Sequence, residues 1–359
     1  MKIALLGDIA LIGRYDRLQN NEVEKRVHVV KQITKGCDFV IGNLESPLTS
    51  VTNTHVCKGI YLRSDPGNVI TLLQMGVTHV TLANNHIYDY GRKGAEETIK
   101  TLKVAGIRYV GLNNPPEVLS KGPNRVLLDG FCCLSANAVN YGNRRGQVKM
   151  LTPNNLELFF RKAYEKKCLP VASVHFGLEG LHYPSAEHMK LFRDFSVKHD
   201  YLMHGNHPHA IQGYEDVNHS LLLYAQGNLC FDEATVTSIH FAPSEKPEER
   251  KNYIVVVDIE NNKICSHKEY ALTDLDTDML HIDESIYNEL IGYSDMLKSS
   301  IKVIAVERQL EISGQRAQAQ KRDIRFYLDR FNYKYIGAYL NGRLHARQYK
   351  KIFNQYKEM

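Results

Sequence analysis

The chain has 359 residues, is 43% hydrophobic and 24% charged, and carries a formal net charge of +5. That length suits a catalytic domain with a sizeable core plus an extension, and the composition is that of an ordinary globular protein. No apolar run approaches the ~18 residues needed to span a membrane, so no transmembrane helix is expected.

Residues 1–11 (MKIALLGDIAL) read as the first core strand, not a signal peptide, because Asp8 interrupts a short apolar run. Val23, Val27 and Val30 mark a helix face. Cys37 to Ile41 is a second strand, running into Gly42-Asn43-Leu44-Glu45. Ile60 to Arg63 is short and extended, and Val69, Leu72 and Leu73 belong to a helix. Thr78 to Leu82 is a buried strand. It leads into Ala83-Asn84-Asn85-His86-Ile87-Tyr88-Asp89-Tyr90-Gly91 and then a helix through Ala95, Ile99 and Leu102. Strand, polar loop, helix is where open α/β sheets place ligands. Arg108 to Leu112 is a strand, and Arg125 to Ala138 reads as a hairpin turning at Asp129-Gly130. Residues 155–167 form a helix. Strands at Pro170–Val174 and Asp200–Met203 end in His175 and in His204-Gly205-Asn206-His207-Pro208-His209. Tyr253–Ile259 and Lys263–Tyr270 form a last hairpin. Alternating β and α, then mostly β, gives two sheets with helices outside.

The pattern changes near residue 275, which divides the chain into a body (1–275) and a helical extension (276–359). Ile286, Leu290, Tyr293, Leu297, Ile301 and Ile304 step as one helix, and Ile324, Leu328, Phe331 and Tyr335 as another. Residues 301–359 carry 13 Lys/Arg and 5 Asp/Glu, a balance of +8, so the basic character lies in the extension. The seven cysteines are odd in number and form no CxxC pair. They read as free thiols in a reducing compartment, which favours the cytoplasm.

Five strand ends deliver ligand-type side chains: Asp8; Asn43 and Glu45; Asn85 and His86; His175; His207 and His209. Taken singly, a Gly-Asp is a turn and a lone His is a hydrogen-bonded structural residue. His-x-His on one strand puts both rings on one face. Carboxylate, amide and imidazole together suit Mn, Fe or Zn better than Ca or Mg. Two such metals ~3.5–4 Å apart activate a water and clamp phosphoryl oxygens.

The segments GDIAL (7–11), GNLESPL (42–48), LRSDP (62–66), LANNHIYDYG (82–91), VHFGLEG (174–180), GNHPHAIQGYE (205–215) and YAQGNLCFD (224–232) resemble the CapA family. These are capsule and poly-γ-glutamate synthesis proteins (PGA_cap), similar to calcineurin-like metallophosphoesterases. The resemblance runs over about residues 2–272. It implies a four-layer α-β-β-α sandwich of the metallophosphoesterase type, with the C-terminal helices added to it. It also implies roles: Asp8 and His209 on a first metal, Glu45 as the bridging carboxylate, and Asn85, His175 and His207 on a second. His86 is implied as general acid or phosphate donor. Asp89 orients His86 or caps a helix, and Arg63 clamps an anionic group or forms a structural ion pair. Ala10 stands where the wider superfamily has a His, so one of two divalent ions (Mn, Zn or Fe) is weakly held.

Three functions follow. The first is a metal-dependent phosphoester hydrolase acting on an anionic substrate in surface-polymer synthesis. The second is a metal-binding component of polymer synthesis or export with little turnover. The third is hydrolysis of a γ-glutamyl amide. In the extension, Arg322, Arg325, Arg330, Arg343, Arg347, Lys350 and Lys351 alternate with Phe326, Tyr327, Phe331, Tyr333, Tyr335, Tyr339 and Tyr349. This reads as a helical cap with its aromatics inward, or as a surface for an acidic polymer or a peripheral membrane contact. No nucleic-acid motif is present.

Overall fold

Along the first strand, β1 (Lys2–Ile9), Ile3 and Leu5 face one core while Ala4 and Leu6 face another. A strand presents alternate residues to opposite sides, so an all-apolar strand must be covered on both. The computed structural model describes residues 1–136, 148–232, 247–319 and 333–356. The strands that follow are β2 (Phe39–Leu44), β3 (His79–Thr81), β4 (Arg108–Val110), β5 (Glu117–Lys121), β6 (Asn124–Cys132) and β7 (Leu169–His175). Then come β8 (Leu202–Asn206), β9 (Tyr214–Val217), β10 (Ser220–Leu223), β11 (Asn228–Cys230), β12 (Lys251–Glu260), β13 (Lys263–Thr273) and β14 (His281–Ile282). One sheet of eight strands runs β14-β13-β12-β1-β2-β3-β4, with β11 also pairing β1. The other, of six, runs β5-β6-β7-β8-β10-β9.

The two sheets pack face to face over Ile3, Leu5, Ile41, Val126, Leu128, Val171, Leu202, Leu223 and Val255. The outer face of the larger sheet is covered by the helices carrying Val30, Leu72, Ala95 and Leu102. The outer face of the smaller is covered by helices Pro153–Glu165 and Ala186–Ser196, through Phe159, Phe160, Met189 and Phe192. The result is helix, sheet, sheet, helix, the layering the sequence implied. Thr152 and Ser185 start the last two helices, each side chain accepting a hydrogen bond from a backbone N–H three residues on.

Two readings need correction. Asp129-Gly130 is not a turn: β6 runs straight through it, paired with β7 from Val126 to Cys132. The hairpin is β5–β6, and its turn includes Gly122 at φ +56°. Gly130 serves close sheet approach instead, because a Cβ there would lie 2.3 Å from Thr81 Oγ1. The apolar series from Ile286 to Ile304 is two helices, Glu284–Leu297 and Ile301–Ala319. Ser300 divides them: its hydroxyl accepts from Val303 N (3.4 Å) and its carbonyl from Ile304 N (3.2 Å), starting a new helix.

Beyond residue 275 the chain stays on the body. β14 pairs β13, Ile286 and Leu290 enter the core between the sheets, and Leu297, Ile304 and Phe353 enter the core outside the smaller one. Tyr349 stacks on Phe353 at 4.6 Å, and both meet the His188 ring edge-on. Arg343, Arg347, Lys350 and Lys351 are exposed. Arg322, Arg325, Phe326, Tyr327, Arg330 and Phe331 lie outside the described residues. Among the described residues no helix is long and apolar enough to cross a membrane.

Candidate metal centre

β1, β2, β3 and β4 are mutually parallel, as are β6, β7 and β8, so their carboxyl ends share an edge where the loops converge. Asp8 ends β1 opposite Asn43 of β2 and Asn228 of β11. Its Oδ1 accepts from Asn43 Nδ2 (2.7 Å) and its Oδ2 from the His207 backbone N–H (3.0 Å), which joins the two sheets. Glu45 follows β2, its backbone tied to Ile9 O. After β3, the Asn84 side-chain oxygen accepts from His86 N (3.0 Å) and Ile87 N (2.9 Å). That turn leaves Asn85 and His86 directed at the edge. Asn85 Oδ1 lies 2.9 Å from His175 Nε2, across the gap between sheets. His207 and His209 hold positive φ of 103° and 57°, conformations a non-glycine residue keeps only when its surroundings fix it.

Around Glu45 the donors form two sets. Asp8, Glu45 and His209 offer atoms within 4.8 Å of one another, and so do Glu45, His175 and His207. Glu45 Oε1 is 3.7 Å from His175 Nε2 and 3.7 Å from His209 Nε2. Both Glu45 carboxylate oxygens and His207 Nδ1 are buried with no hydrogen-bond partner among the described residues. Orphaned acceptors of this kind are costly, at about 1–3 kcal/mol each. A cation between the two sets would satisfy them, and the mixed carboxylate, imidazole and amide donors fit a divalent transition metal. His209 Nδ1 is 2.8 Å from Asn228 Oδ1, an oxygen that only accepts, so Nδ1 carries the proton and Nε2 is left to coordinate.

Burial drives the electrostatics of these side chains. It raises the Glu45 carboxyl well above the ordinary carboxylate range and raises Asp8 as well. It pushes His175 far down and His207 to about 3. At His209 burial opposes the charge, but Glu45 and Asp8 outweigh it and lift the pKa to about 9. Burial thus disfavours the two carboxylate anions, and the charge on His209 depends on them in turn, so the groups titrate together and a cation placed among them would favour the ionised carboxylates.

His86 is the hub beside it. Nε2 faces Glu45 Oε1 at 3.9 Å, and Nδ1 meets Asp89 Oδ2 at 2.6 Å. Asp89 is fully buried and also accepts from Lys58 Nζ (2.6 Å) and Leu62 N (2.7 Å). It does not cap the following helix, whose N-cap position is Tyr90. Burial and then the Lys58 charge lower the His86 pKa, so the ring rests neutral, with Nδ1–H on Asp89 and the Nε2 lone pair open.

The family model described as bacterial capsule synthesis protein PGA_cap matches residues 2–233. The chain belongs to this family. Its relatives include the capsule biosynthesis protein CapA of Bacillus anthracis, 28% identical over 253 residues, and the PGA biosynthesis protein CapA of Bacillus subtilis, 26% identical over 243. Each match covers 65% of this chain, and the chain spans 60% and 64% of those relatives' lengths. Among solved structures, a 5'-nucleotidase precursor from Thermus thermophilus is similar at TM-score 0.45 and 12% identity, over 82% of this chain and 58% of the other. A hypothetical protein from the same organism is similar at TM-score 0.44 and 15% identity, over 76% and 98%.

All six expected ligands of this PGA_cap chain, Asp8, Glu45, Asn85, His175, His207 and His209, meet at one edge, with His86 and Asp89 beside them. Arg63 is not brought in. It is exposed and lines a different cavity of ≈ 270 Å³ with Asp16, Gln19 and Asp65. The cation that reaches His86 is Lys58, in a loop with no distinguishing motif. Glu179 was also missed as a site residue, though it lies inside VHFGLEG; its carboxylate groups with His207 and His209 within 4.8 Å. Ala10 is fully buried against apolar neighbours and offers no donor.

Proposed function

We propose that the chain is a metal-dependent phosphoester hydrolase acting in the synthesis of a capsule-like polymer. The observation that carries the reading is Glu45, whose two buried, unpartnered oxygens lie between the Asp8/His209 and His175/His207 pairs. Those residues, with Asn85, would hold two divalent ions, Mn, Zn or Fe, the Asp8/His209 ion less firmly because Ala10 adds no ligand. When bound, such ions supply charge to neutralise phosphoryl oxygens and to lower the pKa of a nucleophilic water. The protein's own residues do the rest. Lys58 and Asp89 fix the His86 ring, so that Nε2 alone faces the reacting group. A phosphomonoester entering as its monoanion, ROPO3H−, gives its proton to Nε2. His86 passes that proton to the leaving oxygen as the P–O bond breaks, a step worth typically ~10²–10⁴ in rate.

The test is hydrolysis of phosphomonoesters and phosphodiesters by metal-stripped protein given Mn²⁺, Zn²⁺, Fe²⁺ or Mg²⁺, with His207→Ala and His86→Ala alongside. Activity that returns with metal and collapses in both variants supports the reading. Metal uptake without turnover on any ester moves it to a metal-binding component of polymer synthesis, the role that the donorless Ala10 position favours. Turnover of γ-glutamyl amides alone replaces the electrophile and keeps the centre.

A further inference from the structure

The helix Tyr333–Phe353 lies outside the residues matched by the family and yet walls the candidate site. A cavity of ≈ 220 Å³ opens beside His86, Asn85, Lys58 and Glu179, and its far side is Ala338, Asn341, Gly342 and His345. One helix face supplies all of these contacts. Lys334 Nζ sits 5.5 Å over the Tyr61 ring, and Gly337 packs on Cys57, where a Cβ would lie 2.6 Å from Sγ. Ala338, Asn341, Gly342 and His345 follow at steps of three and one, and Tyr349 and Phe353 continue the face into the core. Residues three and four apart share a helix face, so the buried aromatics fix the direction in which Asn341 and His345 point.

Two further contacts fix the opposite rim. Gln315 Nε2 donates to Gly180 O (2.9 Å) and Glu179 O (3.2 Å), and Glu311 holds His182 at 2.9 Å. The helix Ile301–Ala319 thus braces the loop that carries Glu179. In the cavity wall, His345 Nδ1 is buried and has no hydrogen-bond partner among the described residues. Such a buried atom without a partner is a cost that a turn of the ring towards the cavity, onto a hydroxyl placed there, would relieve.

We propose that Asn341 and His345 form a leaving-group subsite, which selects phosphoesters whose leaving group is a polar unit the size of one sugar. This rests on the phosphoester reading above. The cavity that the subsite would occupy is lined by His86 itself, beside which the leaving oxygen must sit to receive a proton. The space is below the ~300–1,000 Å³ of pockets that take drug-sized ligands, which limits the group to about one ring. Asn341 offers a donor and an acceptor and His345 a ring nitrogen, a pairing suited to hydroxyls.

The experiment is calorimetric binding to the full chain loaded with Mn²⁺, using two non-hydrolysable probes: methylphosphonate and a hexose carrying a methylenephosphonate. Two or three hydrogen bonds to neutral groups give the hexose probe an advantage of about tenfold in wild type. Asn341→Ala and His345→Ala reduce that ratio towards one. So does Gly342→Leu, at a position that lines the cavity and where an added Cβ meets no atom within 4 Å, a change that also improves helix propensity. Arg347→Ala, on an exposed position of the same helix, keeps the ratio. A ratio near one in wild type, a ratio kept in all three cavity variants, or a ratio lost equally in Arg347→Ala overturns the subsite and leaves the phosphoester reading standing. Failure of both probes to bind wild type overturns both.

Discussion

Replacing Asp89 by Asn changes one oxygen to an amide nitrogen in a site where every neighbour donates. On one side of the carboxylate stands Lys58 Nζ at 2.6 Å; on the other are Leu62 N at 2.7 Å and His86 Nδ1 at 2.6 Å. The new amide must therefore point its hydrogens at the ammonium, or at a backbone N–H and a protonated ring nitrogen. Asp89 is fully buried and the Lys58 side chain is 10% exposed, so water relieves little of the clash. Removing one partner of a buried ion pair costs about 3–5 kcal/mol. Lys58 keeps its bond to Asn85 O, which places the expected loss at the low end, about 3 kcal/mol. Burial opposes the Asp89 charge, but Lys58 and His86 hold its pKa below the ordinary carboxylate value. Its contribution is thus present in full above about pH 4 and is lost as pH falls through the lowered value. Urea unfolding at pH 7 of wild type, Asp89→Asn, Lys58→Met and the double variant measures it. The double variant should be more stable than the two single losses predict, by at least about 1 kcal/mol. If the protein hydrolyses phosphoesters, kcat of Asp89→Asn falls about 10²-fold, because the His86 tautomer is no longer fixed. A loss below about 1 kcal/mol, or strict additivity, would refute the ion-pair account.

Other predictions concern more distant parts. Chelation should lower the thermal midpoint and Mn²⁺ or Zn²⁺ restore it, since saturation a hundredfold above Kd stabilises by about 2.7 kcal/mol; His207→Ala should remove most of that response. His267, hydrogen-bonded to Asp216 and Glu269, has its pKa raised to about 9, so its stabilisation is complete below about pH 6.5 and gone once pH passes 9. His267→Gln should therefore cost about 1 kcal/mol at pH 6, after discounting for solvent screening, and almost nothing at pH 9.5, read by urea midpoints. Phe353→Ala should destabilise the whole protein by about 3 kcal/mol in one transition, because Phe353 is fully buried in the core outside the smaller sheet. A separate low-temperature transition for residues 276–359 would instead make the extension an independent unit.

The residues that the sequence exposed are those bound to a strand end. Asp8, Glu45, Asn85, His175 and His207 each follow an apolar run, and parallel strands carry such positions to one edge whatever the details of packing. Lys58 had no such signal. It reaches His86 from a loop whose course depends on Tyr61, Cys57 and a helix some 280 residues later in the chain. Asp129-Gly130 misled for the opposite reason: a local turn pair was occupied by a tertiary demand, the close approach of Thr81. The basic, aromatic extension could be read as helical but not oriented. Which of its faces turns inward is decided by Phe353 and Tyr349 meeting His188, a contact absent from any local pattern.

The centre also bears on why the edge is built as it is. Asp8 and Glu45 are fully buried, and neither carboxylate oxygen of Glu45 has a hydrogen-bond partner among the described residues. An apolar side chain of similar size in place of Glu45 would make a more stable edge, since a buried carboxylate without partners weakens a fold. Positive φ at His207 and His209 adds strain of order 1–3 kcal/mol at each position. Stability alone gives no reason for three such costs to fall within one small region. A bound cation would offset the electrostatic part of them: it would neutralise Glu45 and take the lone pairs of the free ring nitrogens. The residues that weaken the fold at this edge are therefore the ones that a cation would turn into a rigid point.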